Sequence, residues 1–104
     1  MNVTIQNAAV SDLDRIVALN DQVQRQHADA YPNDFVFPIN PTEVSDFFAA
    51  LLDDGSQALL LALADGDAIG YLWYQIQHRP PNPFTRSISR TFIHHVVVDQ
   101  RFRR

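Results

Sequence analysis

Two hydrophobic periods divide the chain. Val3-Thr4-Ile5-Gln6 alternates apolar and polar side chains, the period of a half-buried strand. Leu13, Ile16, Val17 and Val23 then follow helical spacing and predict a helix from about Asp12 to Gln26. Ser11 is its expected N-cap, with Asp12 and Asp14 at the positive helix end. Residues 31–41 contain three prolines and predict a loop carrying aromatic side chains. Asn40, Pro41 and Glu43 combine a cap, a preset φ and a first-turn carboxylate. Val44, Phe47, Phe48, Leu51 and Leu52 follow as the apolar face of a second helix, which Gly55 is expected to end.

The run Ala58–Ala64 is apolar at every position, as in a strand covered on both faces. A buried helix segment has the same pattern, and the short length and the flanks favour the strand. Asp65-Gly66-Asp67 supplies a tight turn, and Ala68 to His78 predicts the returning strand of a hairpin. After the break Arg79-Pro80-Pro81-Asn82-Pro83, Ile88 to Val98 predicts a last strand. Strict alternation would put Phe92, His94, Val96 and Val98 on one face and Ile93, His95 and Val97 on the other. The order is β-α-α-β-β-β: an α+β class, read as one domain over residues 1–104.

Composition narrows the chemistry. With 46% hydrophobic and 19% charged residues, the chain has material for a packed core and is not intrinsically disordered. Its 104 residues suit one domain. No apolar run approaches the roughly 20 residues that cross a bilayer, and none follows Met1 as in a signal peptide, so a cytoplasmic location is expected and no membrane partner. Cysteine is absent, which removes disulfides, thiolate metal sites and cysteine nucleophiles. Lysine is absent too, so no lysine Schiff base can form. The net charge of −4 is divided: residues 1–78 hold two arginines against eleven acids, and residues 79–104 hold six arginines against Asp99.

The titratable candidates are His27, His78 and the adjacent pair His94 and His95. On opposite faces of a strand the pair would not chelate one ion, so no metal site is expected. Either ring can serve as a general base near neutral pH, and a partly buried strand histidine satisfied by its neighbours is the plain alternative. No serine stands in a G-x-S-x-G setting, and with Gly55, Gly66 and Gly70 as the only glycines there is neither G-x-G-x-x-G nor a P-loop. Arg101, Arg103 and Arg104 suit phosphate oxygens or a solvated tail. Nucleic acid is not an expected partner, because the rest of the chain is acidic. Tyr31, Phe35, Trp73 and Tyr74 are candidates to line a substrate pocket, as well as ordinary core material.

Together these pieces resemble the N-terminal part of a GCN5-related N-acetyltransferase (GNAT). Ile93-His-His-Val-Val-Val98-Asp99-Gln-Arg-Phe-Arg-Arg104 resembles that family's fourth strand and the entry to its acetyl-CoA motif, with Arg103 at the motif's first position. Ile5-Gln-Asn-Ala-Ala-Val-Ser-Asp12 with Ile16 and Leu19 is similar to its opening, and Ala68-Ile-Gly-Tyr71 to its third strand. The resemblance covers the whole chain and implies a mixed, mainly antiparallel GNAT-like sheet. It also implies a chain that stops before the motif's glycines, lacking the C-terminal helices and strands, with weak activity or none.

The resemblance further implies direct transfer of acetyl from acetyl-CoA to a small-molecule or peptide amine, with no covalent enzyme intermediate. It places Val96, Val97 and Val98 amides on the thioester and pantetheine arm, with Arg103 and Arg104 on the phosphates. Where some members carry a glutamate base, this chain has Phe92, so His94 and His95 are the catalytic candidates. The alternative reading is a non-catalytic association module that forms a homodimer through strand 88–98.

Overall fold

The computed structural model describes residues 2–103. The chain orders as β1 (Val3–Asn7), a 3-10 turn (Val10–Asp12), α1 (Leu13–Ala30), α2 (Pro41–Leu52), β2 (Gln57–Ala64), β3 (Asp67–Arg79), β4 (Ile88–Val98) and a second 3-10 turn (Gln100–Phe102). The four strands form one antiparallel sheet in the order β1-β2-β3-β4. This is the expected α+β, GNAT-like arrangement.

Local chemistry accounts for the element ends. The Asn40 side chain accepts from the Glu43 amide at 3.1 Å, and Pro41 opens α2. The cap expected of Ser11 is not made. Ser11 is exposed, while Asp12 is buried, accepts from the Ala9 amide at 2.8 Å and pairs with Arg15. A charged acceptor held inside the turn displaces the neutral hydroxyl. Helix α1 also runs past Gln26 to Ala30, since nothing breaks it before Tyr31-Pro32. Gly55 does not supply a left-handed stop. Helix α2 closes on Asp53 in ordinary helical geometry, and Gly66, at φ 87°, is the positive-φ glycine among the described residues. It follows Asp65, at φ 51°, in a two-residue turn of the type that matches strand twist.

Both helices lie on one face of the sheet. Leu13, Ile16 and Leu19 of α1 and Phe48 and Leu51 of α2 meet Leu59, Leu61, Tyr71 and Val97 in the core. Each such side chain stabilises the fold by about 1.5–3 kcal/mol through burial. The opposite face is also apolar, as the run Ala58–Ala64 implies, but among the described residues nothing covers it. A groove of about 330 Å³ lies there, lined by Ile5, Leu60, Leu72, Val96 and Val98 among others. None of the described helices is long and apolar enough to cross a membrane.

The β3–β4 ladder is interrupted once. Trp73 opposes His95 and Tyr74 opposes Ile93, so His94 is the extra residue of a β-bulge. Strict alternation fails there. The expected opposite-face placement of the two histidines is corrected: both rings lie against Trp73, His94 stacked at 4.1 Å between centroids and His95 edge-on at 4.8 Å.

Candidate active site

The bulge sets the site. Beyond it, His95 and Val97 turn toward the helices with Tyr71 and Trp73, their opposed residues on β3. His95 then meets Phe48 edge-on at 6.3 Å and lines a cavity of about 280 Å³ between α1, the loop before α2 and α2 itself. The wall is mixed: Val36, Ile39 and Phe47 are apolar, and Asn20, Glu43 and His95 are polar. The Gln24 amide donates to the Val36 carbonyl at 2.9 Å and ties the loop to α1. A largely apolar hollow with a few convergent polar groups is the ordinary form of a small-molecule site.

Behind the cavity wall a hydrogen-bond chain runs from Asn20 Nδ2 to Tyr71 Oη at 3.1 Å, and from Tyr71 Oη to His95 Nδ1 at 3.0 Å. Burial pushes the Tyr71 phenol up to about 12, so it stays protonated. Burial also lowers His95, and the nearby His94 and His27 add to that shift, so the imidazole is neutral at pH 7. His94 is held differently: its Nε2 meets Gln75 Oε1 at 2.9 Å while its ring stacks on Trp73. Among the described residues no three metal-ligating side chains come together.

The four aromatic candidates lie elsewhere. Trp73 packs against Phe47 and Phe48, with its indole N–H donating to Gln57 Oε1 at 2.7 Å. Tyr74 opposes Ile93 and so belongs to the other face of the sheet. Phe35 packs on His27 at 4.7 Å, and Tyr31 is exposed. None of them lines the cavity. Beside His95, its wall comes from residues that the sequence reading assigned to no site: Asn20, Glu43 and Phe47, with Val36 and Ile39 of the loop. Asn20 did leave a signal, since it falls four residues after Ile16 on the buried face of α1.

Strand β4 has β3 as its one sheet neighbour among the described residues. The Asp99 amide donates to the Ile69 carbonyl at 2.7 Å, and backbone direction alternates along an antiparallel strand. Val97 therefore pairs toward Tyr71, whereas the N–H and C=O of Val96 and Val98 face the free edge. The Val98 carbonyl on that edge accepts from Arg103 Nε at 2.8 Å. Arg101 is engaged otherwise, gripping the buried Asp99 carboxylate with Nε at 3.2 Å and Nη2 at 3.0 Å. Arg104 lies outside the described residues.

No family model and no curated protein matches this sequence. Solved structures do. A tetramutant of a Bacillus halodurans protein superposes with a TM-score of 0.82 at 20% identity, over 96% of this chain and 64% of that one. The aminoglycoside antibiotic 6'-N-acetyltransferase of Acinetobacter baumannii gives 0.71 at 19% identity, over 97% and 60%. A predicted acetyltransferase of Clostridium acetobutylicum, solved with acetyl-CoA, gives 0.72 at 13% identity, over 98% and 63%. The chain thus spans less than two thirds of the length of each of these structures, and what it shares with them is the fold, the α+β, GNAT-like arrangement described above.

Proposed function

We propose that the chain carries the amine-binding cavity and the thioester-binding strand of an acetyl-CoA-dependent N-acetyltransferase acting on a small-molecule or peptide amine. One observation carries this reading. His95 lines the cavity, and the next residue, Val96, presents its amide on the free edge of the same strand. An amine in the cavity and an acyl group on the edge would meet within one residue. The likeness in fold to acetyltransferases, one of them solved with acetyl-CoA, supports it.

The chemistry balances without an enzyme-bound intermediate. The amine nitrogen forms a bond to the thioester carbonyl carbon, the C–S bond breaks, and the proton lost from nitrogen goes to the leaving thiolate. The edge amides of Val96 and Val98 are the groups to hold the carbonyl oxygen as it gains charge, where one well-aimed donor is worth about 3–4 kcal/mol. Arg103, close to that edge, and Arg104 suit the phosphates of the CoA moiety. Titrating acetyl-CoA into ¹⁵N-labelled chain should move the Val96 and Val98 amide resonances first. Shifts that leave this edge untouched would defeat the proposal.

A second reading has its own observation. Ile88, Phe92, Ile93 and Val96 are exposed along a strand edge that has no partner among the described residues, which suits homodimerisation through residues 88–98. Sedimentation across a concentration series should then show a dimer, and a chain that stays monomeric at high concentration argues against this assembly.

A further inference from the structure

The chain from Asn20 through Tyr71 to His95 has a direction, and the direction decides what His95 can do. Tyr71 is 3% exposed, so its hydroxyl finds no partner in solvent. The Asn20 amide donates to Tyr71 Oη. The phenolic proton then needs an acceptor of its own, since leaving it unpaired costs about 1–3 kcal/mol. Among the described residues the other group bonded to Oη is His95 Nδ1, at 3.0 Å. Nδ1 accepts, so the proton of a neutral imidazole sits on Nε2. Because the Nδ1 edge faces a buried phenol, the Nε2 edge is the one left to line the cavity. Asn20 lines the same cavity, and its Oδ1 accepts no hydrogen bond from any described residue. The wall therefore offers His95 Nε2–H as a donor fixed by the tautomer, with Asn20 Oδ1 and the Glu43 carboxylate as acceptors, beside the side-chain amides of Gln24 and Asn40.

We propose that Asn20 and Tyr71 are positioning residues that lock His95 as the Nε2–H tautomer, making it a hydrogen-bond donor to an oxygen of the bound amine and not the base that deprotonates it. The ligand class is then a small amine with a hydroxyl or carbonyl oxygen beside its nitrogen. The oxygen meets His95, and the amine nitrogen meets Asn20 Oδ1 and Glu43. This rests on the amine-binding reading of the cavity given above.

Long-range ¹H–¹⁵N correlation spectra of the full chain report the tautomer directly. His95 is expected with its proton on Nε2, and Tyr71→Phe should release it to a mixture of both forms. Asn20→Asp keeps the side-chain shape but supplies a carboxylate for the phenolic proton, so Tyr71 Oη becomes the acceptor and His95 should switch to the Nδ1–H form. The switch also serves where Tyr71→Phe fails to fold. A proton on Nδ1 in the parent chain, or a tautomer indifferent to both substitutions, overturns the lock. For the ligand, 2-aminoethanol should shift the His95 Nε2 resonance and bind roughly fivefold to tenfold more tightly than ethylamine, the factor of one added hydrogen bond. Equal binding of the two, or no binding of either, overturns the assignment of ligand class. Neither measurement contains acetyl-CoA, so a chain that passes both and shows no acetyl-CoA-dependent shift at the Val96 and Val98 amides refutes the acetyltransferase reading alone.

Discussion

Tyr71 and His95 are the residues on which packing and chemistry meet. Tyr71 closes the core against Phe48 at 5.6 Å and carries the hydroxyl between Asn20 and His95. In Tyr71→Phe the ring is kept while the buried Asn20 and the half-buried His95 lose their bond, so chemical denaturation should show a loss of about 1–3 kcal/mol. His95 adds a pH dependence. Its folded value lies below the ordinary imidazole value of about 6.5, so the unfolded chain takes up this proton first as the pH falls. Stability from this group is complete above about pH 6.5 and is lost as the pH drops through the lower folded value. The carboxylates of Asp12 and Asp99 are held below their usual range by their hydrogen bonds, so their contribution is lost in a separate, more acidic window. Thermal unfolding between pH 7 and 5 should accordingly fall less steeply in His95→Gln than in the parent chain. An identical slope would mean that His95 titrates in the native state as it does in the unfolded chain.

At the scale of elements, the β3–β4 contact is the one that shapes the site. A Cβ built on Gly70 would lie 2.5 Å from the Val97 carbonyl oxygen, and backbone cannot swing aside as a side chain does. Gly70→Ala should push β4 from β3, costing about 1–3 kcal/mol, and should raise the hydrogen-exchange rate of the Val97 amide. Gly55→Ala is the control: nothing lies within 4 Å of its Cβ and its φ is not positive, so stability should hold or rise slightly. The same ladder shows what a sequence can reveal. Asn40-Pro41 marks the start of α2 and Ile88 to Val98 bounds β4, because caps, prolines and β-branched runs act on their own segment. The bulge at His94 left no such mark. It belongs to the pairing of two strands, and without it the period-two rule separated two histidines that in the fold share one indole. The cavity was hidden for a similar reason: Asn20, Glu43 and His95 are far apart in sequence and meet only when two helices dock on the sheet.

In the molecule as a whole, one sheet carries two unlike faces. Helices cover the first; the second is apolar, and among the described residues nothing lies over it. Val96 belongs to that second face, opposite Leu72, and is 66% exposed, whereas its neighbours His95 and Val97 turn to the core. Side chain and backbone at this residue thus serve different surfaces: the isopropyl group helps wall the groove, and the amide stands on the free edge. Val96→Glu separates the two. A charge on the rim of an apolar groove should strongly reduce the fluorescence of a hydrophobic dye such as anilinonaphthalene sulfonate, because the dye is itself an anion held by apolar contact. The fold should lose no more than about 0.5 kcal/mol, since the side chain leaves no core contact behind. The edge amide persists, so the acetyl-CoA-dependent shift at residue 96 should survive the substitution. Dye binding equal to that of the parent chain would show that the groove is not the apolar surface the dye finds. Loss of the acetyl-CoA shift with folding intact would show that the thioester side depends on the open face as well as on the edge.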